Sequence, residues 1–355
     1  MVLTGLVVGA ALGFALQRGR FCVTGAFRDV WIGRQTRWMT AFLIVIAVQS
    51  VGLFALQSLG VIELATGELA LAATVVGGFI FGFAIVLAGG CATGTFYRSG
   101  EGLIGSWFAL LFYAGFSAMM KYGVFAELTA AARAQTVPVT TIHDSLGISP
   151  WWLVGALVVG VGALAARHLA AEPRLRIATL PPRRTGLAHL LLEKPWHAFA
   201  TAVLIGLIAI VAWPLSAASG RNAGLGVTTP SANLVSFLVT GDVALVDWGV
   251  FLVLGILVGA FIAAKASGEF RLRVPDATTV VRSVSGGALM GVGASLAGGC
   301  TIGNAMVNTA QFSYQGWLSF AFMVLGTGVA THLFILRHRS SAAAGSTPAP
   351  VLAGV

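Results

Sequence analysis

Apolar residues in this chain do not alternate with polar ones. They fill continuous runs close to the ~20 residues that a helix needs to cross a bilayer. Nine such runs, at 3–17, 39–60, 69–88, 103–121, 151–170, 197–217, 248–265, 285–298 and 316–336, predict nine transmembrane helices. Strands of a membrane barrel would alternate polar and apolar positions, so a barrel is excluded. The predicted class is an all-α membrane protein of about nine spans, with short broken or re-entrant helices where glycine interrupts a run. The first run resembles the apolar core of a signal peptide, but no positive charge precedes it and five arginines follow, so it reads as a retained span.

Composition agrees with the pattern. Of 355 residues, 57% are hydrophobic and only 9% charged, with a mean hydropathy of +0.90, too little polar surface to coat a soluble globule. A formal charge of +9 would suit a nucleic-acid binder if it formed one basic domain. Instead the cations sit in short loops beside the spans, which marks topology. Arg18, Arg20, Arg28, Arg34 and Arg37 follow the first span; Arg174, Arg176, Arg183, Arg184 and Lys194 follow the fifth; Lys265, Arg271, Arg273 and Arg282 follow the seventh; Arg337 and Arg339 follow the last. An amino terminus outside and a carboxyl terminus in the cytoplasm places every cluster inside. Residues 171–196, rich in proline and arginine, read as a cytoplasmic linker, and 339–355 as a disordered tail. The six histidines show no metal-site spacing, and neither metal nor cofactor is expected.

Sliding the sequence on itself by 209 residues aligns GGFIFGFAIVLAGGCATG at Gly77–Gly94 with GGALMGVGASLAGGCTIG at Gly286–Gly303, nine of eighteen positions being identical. Trp38 pairs with Trp248, and GRFCVTGAF with GLGVTTPSA, at nearly the same offset. The chain is thus a duplicated unit: spans one to four with a connecting fifth span over 1–170, and spans six to nine over 197–338. Five spans separate equivalent elements, and an odd number inverts the second copy. Inverted repeats form a pathway at their interface near the bilayer midplane. In both copies an apolar run breaks at Leu-Ala-Gly-Gly-Cys. A glycine seam between packed helices would produce such a sequence; so would broken helices facing a cavity, the reading favoured by the recurrence of the cysteine in both copies.

Cys22, Cys91 and Cys300 are the only cysteines. All three follow the end of an apolar helix, and a neutral thiol is a weak, polarizable donor suited to a soft sulfur anion. Harder donors for the oxyanion end are backbone N–H groups beside Gly90, Gly94, Gly299 and Gly303, and the side chains of Thr24, Thr93, Thr95, Thr301 and Asn304, with Thr228, Thr229 and Asn308 as weaker candidates. Nothing near any cysteine is read as supplying the base or cation that would activate a thiolate. Arg18, Arg20 and Arg28 read either as anion collectors at the inner mouth or as topology alone.

The segments GRFCVTGAFRD, AGGCATGTFYRSGEG and AGGCTIGNAMVNTAQFSYQGW resemble the YeeE/YedE family of bacterial inner-membrane proteins, and the resemblance extends from Gly5 to about Leu336. It implies thiosulfate uptake, with the cysteines matching Cys22, Cys91 and Cys300 relaying the anion by S–H···S contacts. It also implies an hourglass of inverted halves with cysteine loops dipping to the middle, and a small cytoplasmic sulfur carrier of the TusA/YeeD kind as companion. Two alternatives stay open: transport of another soft sulfur or selenium species, and a membrane sulfurtransferase that forms a cysteine persulfide.

Overall fold

The computed structural model describes residues 2–64, 66–172 and 185–337. Its helices are α1 (Thr4–Gly19), α2 (Val23–Gly33), α3 (Arg37–Ser58), α4 (Leu71–Leu87), α5 (Ala92–Gly100), α6 (Ile104–Lys121), α7 (Ala126–Ala134), α8 (Ile142–Leu146), α9 (Pro150–Ala171), α10 (Gly186–Ala188), α11 (Ala198–Ala217), α12 (Thr228–Thr240), α13 (Trp248–Ser267), α14 (Ala277–Ala297) and α15 (Tyr314–Thr331). Among the described residues there is no strand, only isolated bridges such as Leu69 to Val137. Eight helical lengths are long and apolar enough to cross a membrane, and α6 with α7, bent by 68°, makes a ninth. The chain is an all-α, multi-pass membrane protein.

All nine predicted spans have a helix in place. The eighth begins at Ala277 rather than at 285, because Arg282 and the threonines before it depress the hydropathy of a helix that is already formed. The tail predicted at 339–355 and the linker arginines Arg174, Arg176, Arg183 and Arg184 lie outside the described residues. α9 carries no charge before Arg167, near its end, and buries only Val154 and Val161. A helix so apolar with so little protein around it is solvated by lipid.

Two of the apolar lengths, Thr4–Gly33 and Leu71–Gly100, are each a 30-residue span interrupted once, between α1 and α2 and between α4 and α5. The contact registers give relative directions. Gly77 of α4 abuts Gly293 and Ala297 of α14, whereas Gly286 abuts Ala88, so these equivalent helices of the two repeats run antiparallel. A side chain at either glycine would overlap the facing backbone. In contrast, Gly78 meets Ser319 and Gly82 meets Met323, a parallel pairing of α4 with α15; Gly287 at Ala109 and Gly291 at Tyr113 pair α14 with α6 in the same way. Gly9 at Leu252 and Gly13 at Ile256 align α1 with α13, and Gly206 at Val45 with Gly52 at Ile210 align α11 with α3. Each contact thus has a counterpart with the repeats exchanged, and each half packs its helices into the other.

The core follows these seams. Trp248, Phe27, Phe42, Phe81 and Tyr113 are its largest fully buried side chains. Trp248 donates its indole N–H to Thr4 Oγ1 at 2.9 Å, pinning the start of α13 to the start of α1.

Candidate substrate path at the cysteine breaks

All three cysteines occupy one local geometry. Each lies two residues beyond a residue in the left-handed region: Arg20 (φ 46°) before Cys22, Gly89 (φ 70°) before Cys91, and Gly298 (φ 77°) before Cys300. A left-handed residue ends a helix by turning its N–H back onto the last carbonyls. Arg20 and Phe21 donate to Gln17 and Leu16, and Gly298 and Gly299 to Ser295 and Ala294. Glycine holds this conformation without strain at two of the breaks; Arg20 holds it against a cost of about 1 kcal/mol.

Cys22 then caps α2 and Cys91 caps α5. Each Sγ accepts the backbone N–H three residues on, from Gly25 and from Gly94, at 3.4 Å. With a sulfur lone pair engaged by its own half-helix, the S–H of each thiol is the group left to meet something else. Cys300 leads instead into a π-helical turn at Gly303–Asn308, with Asn304 N–H donating to its carbonyl at 2.9 Å. Cys91 and Cys300 are buried and Cys22 is partly exposed. Cys91 lies within electrostatic reach of both other thiols and faces the Thr301 hydroxyl. Tyr113 stands against Cys300 and donates to Thr228 at 2.9 Å. The thiols therefore form a cluster with Cys91 as its common member.

Polar groups without partners collect among the same residues. The hydroxyls of Thr24, Thr93 and Thr301 are buried and make no hydrogen bond. Such groups are rare in native interiors and call for a polar occupant. Thr95 is different, since its hydroxyl returns to Ala92 O at 2.6 Å.

Cavities approach the cluster from two faces. One, of about 190 Å³, is lined by Arg221, Trp213, Thr228, Gly299, Gly303 and Gln311. A neighbouring cavity of about 260 Å³ adds Lys121 and Arg133 and shares Thr228, Thr229 and Gly298. At the opposite end of α1, cavities of about 320 Å³ and 160 Å³ are lined by Arg20 and Glu269, one with Arg18 and Arg37, the other with Glu101, Arg271 and Arg273. Arg221 stacks over Trp248 at the start of α1, so the two faces are separated by the length of that helix, about 24 Å. Neither set of cavities is lined by a cysteine.

The family model described as sulphur transport matches residues 18–329. The chain belongs to the sulphur-transport family. It is 54% identical over 342 residues, 96% of this chain and 97% of the relative, to the thiosulfate transporter TsuA of Escherichia coli strain K12. It is 32% identical, over 92% of this chain and 97% of the relative, to the thiosulfate transporter TsuA of Spirochaeta thermophila. A shorter match, 41% identical over 29% of the chain and 25% of the relative, joins it to the probable transporter YedE of Escherichia coli strain K12.

Within this family member, two features depart from the expectations drawn from the sequence. The first is Arg98, in the last turn of α5. Its Nη2 donates to Cys22 Sγ at 3.4 Å and its Nη1 to Gly89 O. A cation therefore does reach a cysteine, contrary to the expectation of none. It stands seven positions after Cys91 inside a quoted motif, and that spacing, two turns of helix, was the available signal. The second is the group of arginines expected at the inner mouth, Arg18, Arg20 and Arg28. Arg18 is buried, paired with Glu269 at 3.5 Å and bonded to the Leu191 and Lys194 carbonyls, while Arg28 pairs with its neighbour Asp29. Arg20 is the most open of the three to solvent, and it too reaches Glu269, at 3.1 Å. Burial works against charge on Glu269, but the Gln17 hydrogen bond and the arginines outweigh it and hold the carboxyl below its ordinary value.

Asn304 is committed to structure. Its Nδ2 donates to Ala297 O at 2.7 Å and to Gly299 O at 3.2 Å, and its Oδ1 accepts from Asn308 and Gln315 at 2.7 and 3.1 Å. Gly90 has a different constraint, since a side chain there would press on the Arg98 guanidinium. Replacing Asn304 by alanine strands buried carbonyls, so the variant is expected to lose about 1–3 kcal/mol of stability. Asn304→Asp, unable to donate, should melt as low or lower. An unchanged melting temperature in detergent for both variants would remove this clamp from the description.

Proposed function

We propose that this chain is a thiosulfate transporter of the bacterial inner membrane, and that Cys22, Cys91 and Cys300 line its path. The observation that carries the reading is the clustering of three thiols at three matching helix stops, in a chain whose full-length relatives bear the name thiosulfate transporter. Each S–H offers a soft donor to the sulfane sulfur, and the anion is relayed from thiol to thiol by S–H···S contacts. Backbone N–H groups at the starts of the half-helices and the unpartnered hydroxyls of Thr24, Thr93 and Thr301 serve the oxyanion end. The face bearing Arg221 and Lys121 is outside and the face bearing Arg18 and Arg20 is cytoplasmic, as the distribution of basic residues favours; the amino terminus is then outside and the carboxyl terminus inside. A small sulfur carrier of the TusA/YeeD kind is the expected cytoplasmic recipient.

Uptake of labelled thiosulfate into liposomes containing the purified chain tests the reading. Saturable uptake, displaced by unlabelled thiosulfate far better than by sulfate or sulfite, is the expected outcome. Displacement by selenium or hydrosulfide species at lower concentration would transfer the reading to another soft anion, and no uptake above empty liposomes would end it.

A further inference from the structure

The strongest feature left unused by a relay of neutral thiols is Arg98. It lies within the Leu71–Gly100 span, yet among the described residues it forms no ion pair. Arg18, Arg20, Arg28, Arg37 and Arg221 each have a carboxylate within pairing distance. An ionised group in a span without a counter-ion is costly and is by default functional. What surrounds its guanidinium is a poor substitute for a carboxylate: a thiol sulfur, one backbone carbonyl and the ring of Tyr97. The two repeats also differ at this point. The 209-residue offset sets Val307 opposite Arg98, and the pairing of GRFCVTGAF with GLGVTTPSA sets Val227 opposite Cys22. The thiol and the guanidinium that touches it thus occur together in one half, and both are replaced by valine in the other.

We propose that Arg98 anchors the sulfonate end of the substrate at Cys22, so that selection for a divalent oxyanion is made on the Arg20 side of the path. This deepens the thiosulfate reading and rests on it. The planar guanidinium carries five N–H donors arranged to grip two oxygens at once. A weak contact to sulfur is readily exchanged for charge-assisted bonds to an oxyanion. With the sulfonate held by Arg98, the sulfane sulfur projects toward the thiol two residues beyond the Arg20 stop. Thiosulfate fits this arrangement at both ends, whereas an anion with the same soft sulfur but a single charge and one oxygen fewer is held more weakly at the arginine.

The test uses the full-length chain in liposomes, with labelled thiosulfate as substrate and the methanethiosulfonate anion, which keeps the terminal sulfur but carries one charge, as competitor. The quantity read is the inhibition constant of the competitor divided by the KM for thiosulfate. In Arg98→Gln this ratio is expected to fall by about tenfold or more, the worth of a hydrogen bond to a charged group, through a rise in the KM for thiosulfate. Arg98→Lys keeps the charge and loses the fork, so it should fall between the two; it also serves if the glutamine variant is not recovered. A merely structural role would weaken both anions alike and leave the ratio unchanged, which would overturn the assignment, as would parental kinetics in the variants. Absence of thiosulfate uptake by the parent chain would instead overturn the reading beneath it.

Discussion

Cys91→Ser is expected to lower thiosulfate uptake by about tenfold to a hundredfold while the protein folds at least as well as its parent. The two effects separate because Cys91 has two jobs. As the first residue of a broken span it caps α5, its Sγ accepting the Gly94 N–H at 3.4 Å, and serine is among the strongest caps at such a position. As a member of the thiol cluster it supplies a large polarizable sulfur, which an oxygen cannot imitate toward a soft anion. Melting temperature in detergent and initial uptake rate in liposomes should therefore move in opposite directions. Uptake at the parental rate would show that the substrate makes no demand on softness at this site, and the relay would have to be abandoned.

Gly82→Leu is expected to eliminate folded protein. The added Cβ would overlap the Met323 carbonyl of α15, and both groups are backbone-fixed within helices. Ordinary overpacking of a core costs about 1–3 kcal/mol because side chains can give way; here no side chain stands in between, and Gly326 makes the reciprocal approach to Phe79. The parallel seam between α4 and α15 is repeated by α14 and α6, so separating one pair moves an element that belongs to the other half. Gly155→Ala in α9 is the control, since no atom lies within 4 Å of its Cβ position and alanine favours a helix by about 1 kcal/mol over glycine. Size-exclusion profiles of the two variants should differ completely. A monodisperse Gly82→Leu protein would mean that the helices are not in backbone contact.

The spans were legible because bilayer solvent leaves a strong mark, a run of apolar residues near a fixed length. Broken helices were legible for a related reason: Gly89 and Gly298 stand two residues before their cysteines, and duplication wrote that stop twice. The stop before Cys22 was less visible, since Arg20 takes a conformation usually left to glycine. α2 and α12, around Cys22 and Thr228, lie outside every span that the apolar runs predict. Helices of 11 and 13 residues with threonine, proline or arginine in them fall below the length at which pattern speaks, and they form because neighbours bury them. Charges were read by their place in the sequence, which gave topology and missed side-chain reach. Arg98 stands near the end of a span, where a basic residue needs no explanation, but its guanidinium extends back to Gly89 and Cys22. Asn304 was missed in the opposite sense: its amide, placed among the donors for an anion, is occupied by the carbonyls of the stop itself.

The cavities at the two ends of α1 share no lining residue, and the buried Cys91 and Cys300 thiols line neither. A path without a continuous water column gives protons no wire to follow, which spares the electrochemical gradient of the membrane it sits in. The same gradient then bears on the cargo. Moving one negative charge inward against 100 mV, negative inside, costs about 2.3 kcal/mol, and a dianion about twice that. Such a gate alone would leave the interior poorer in free dianion than the medium, so net uptake would depend on how quickly the arriving sulfur is chemically consumed.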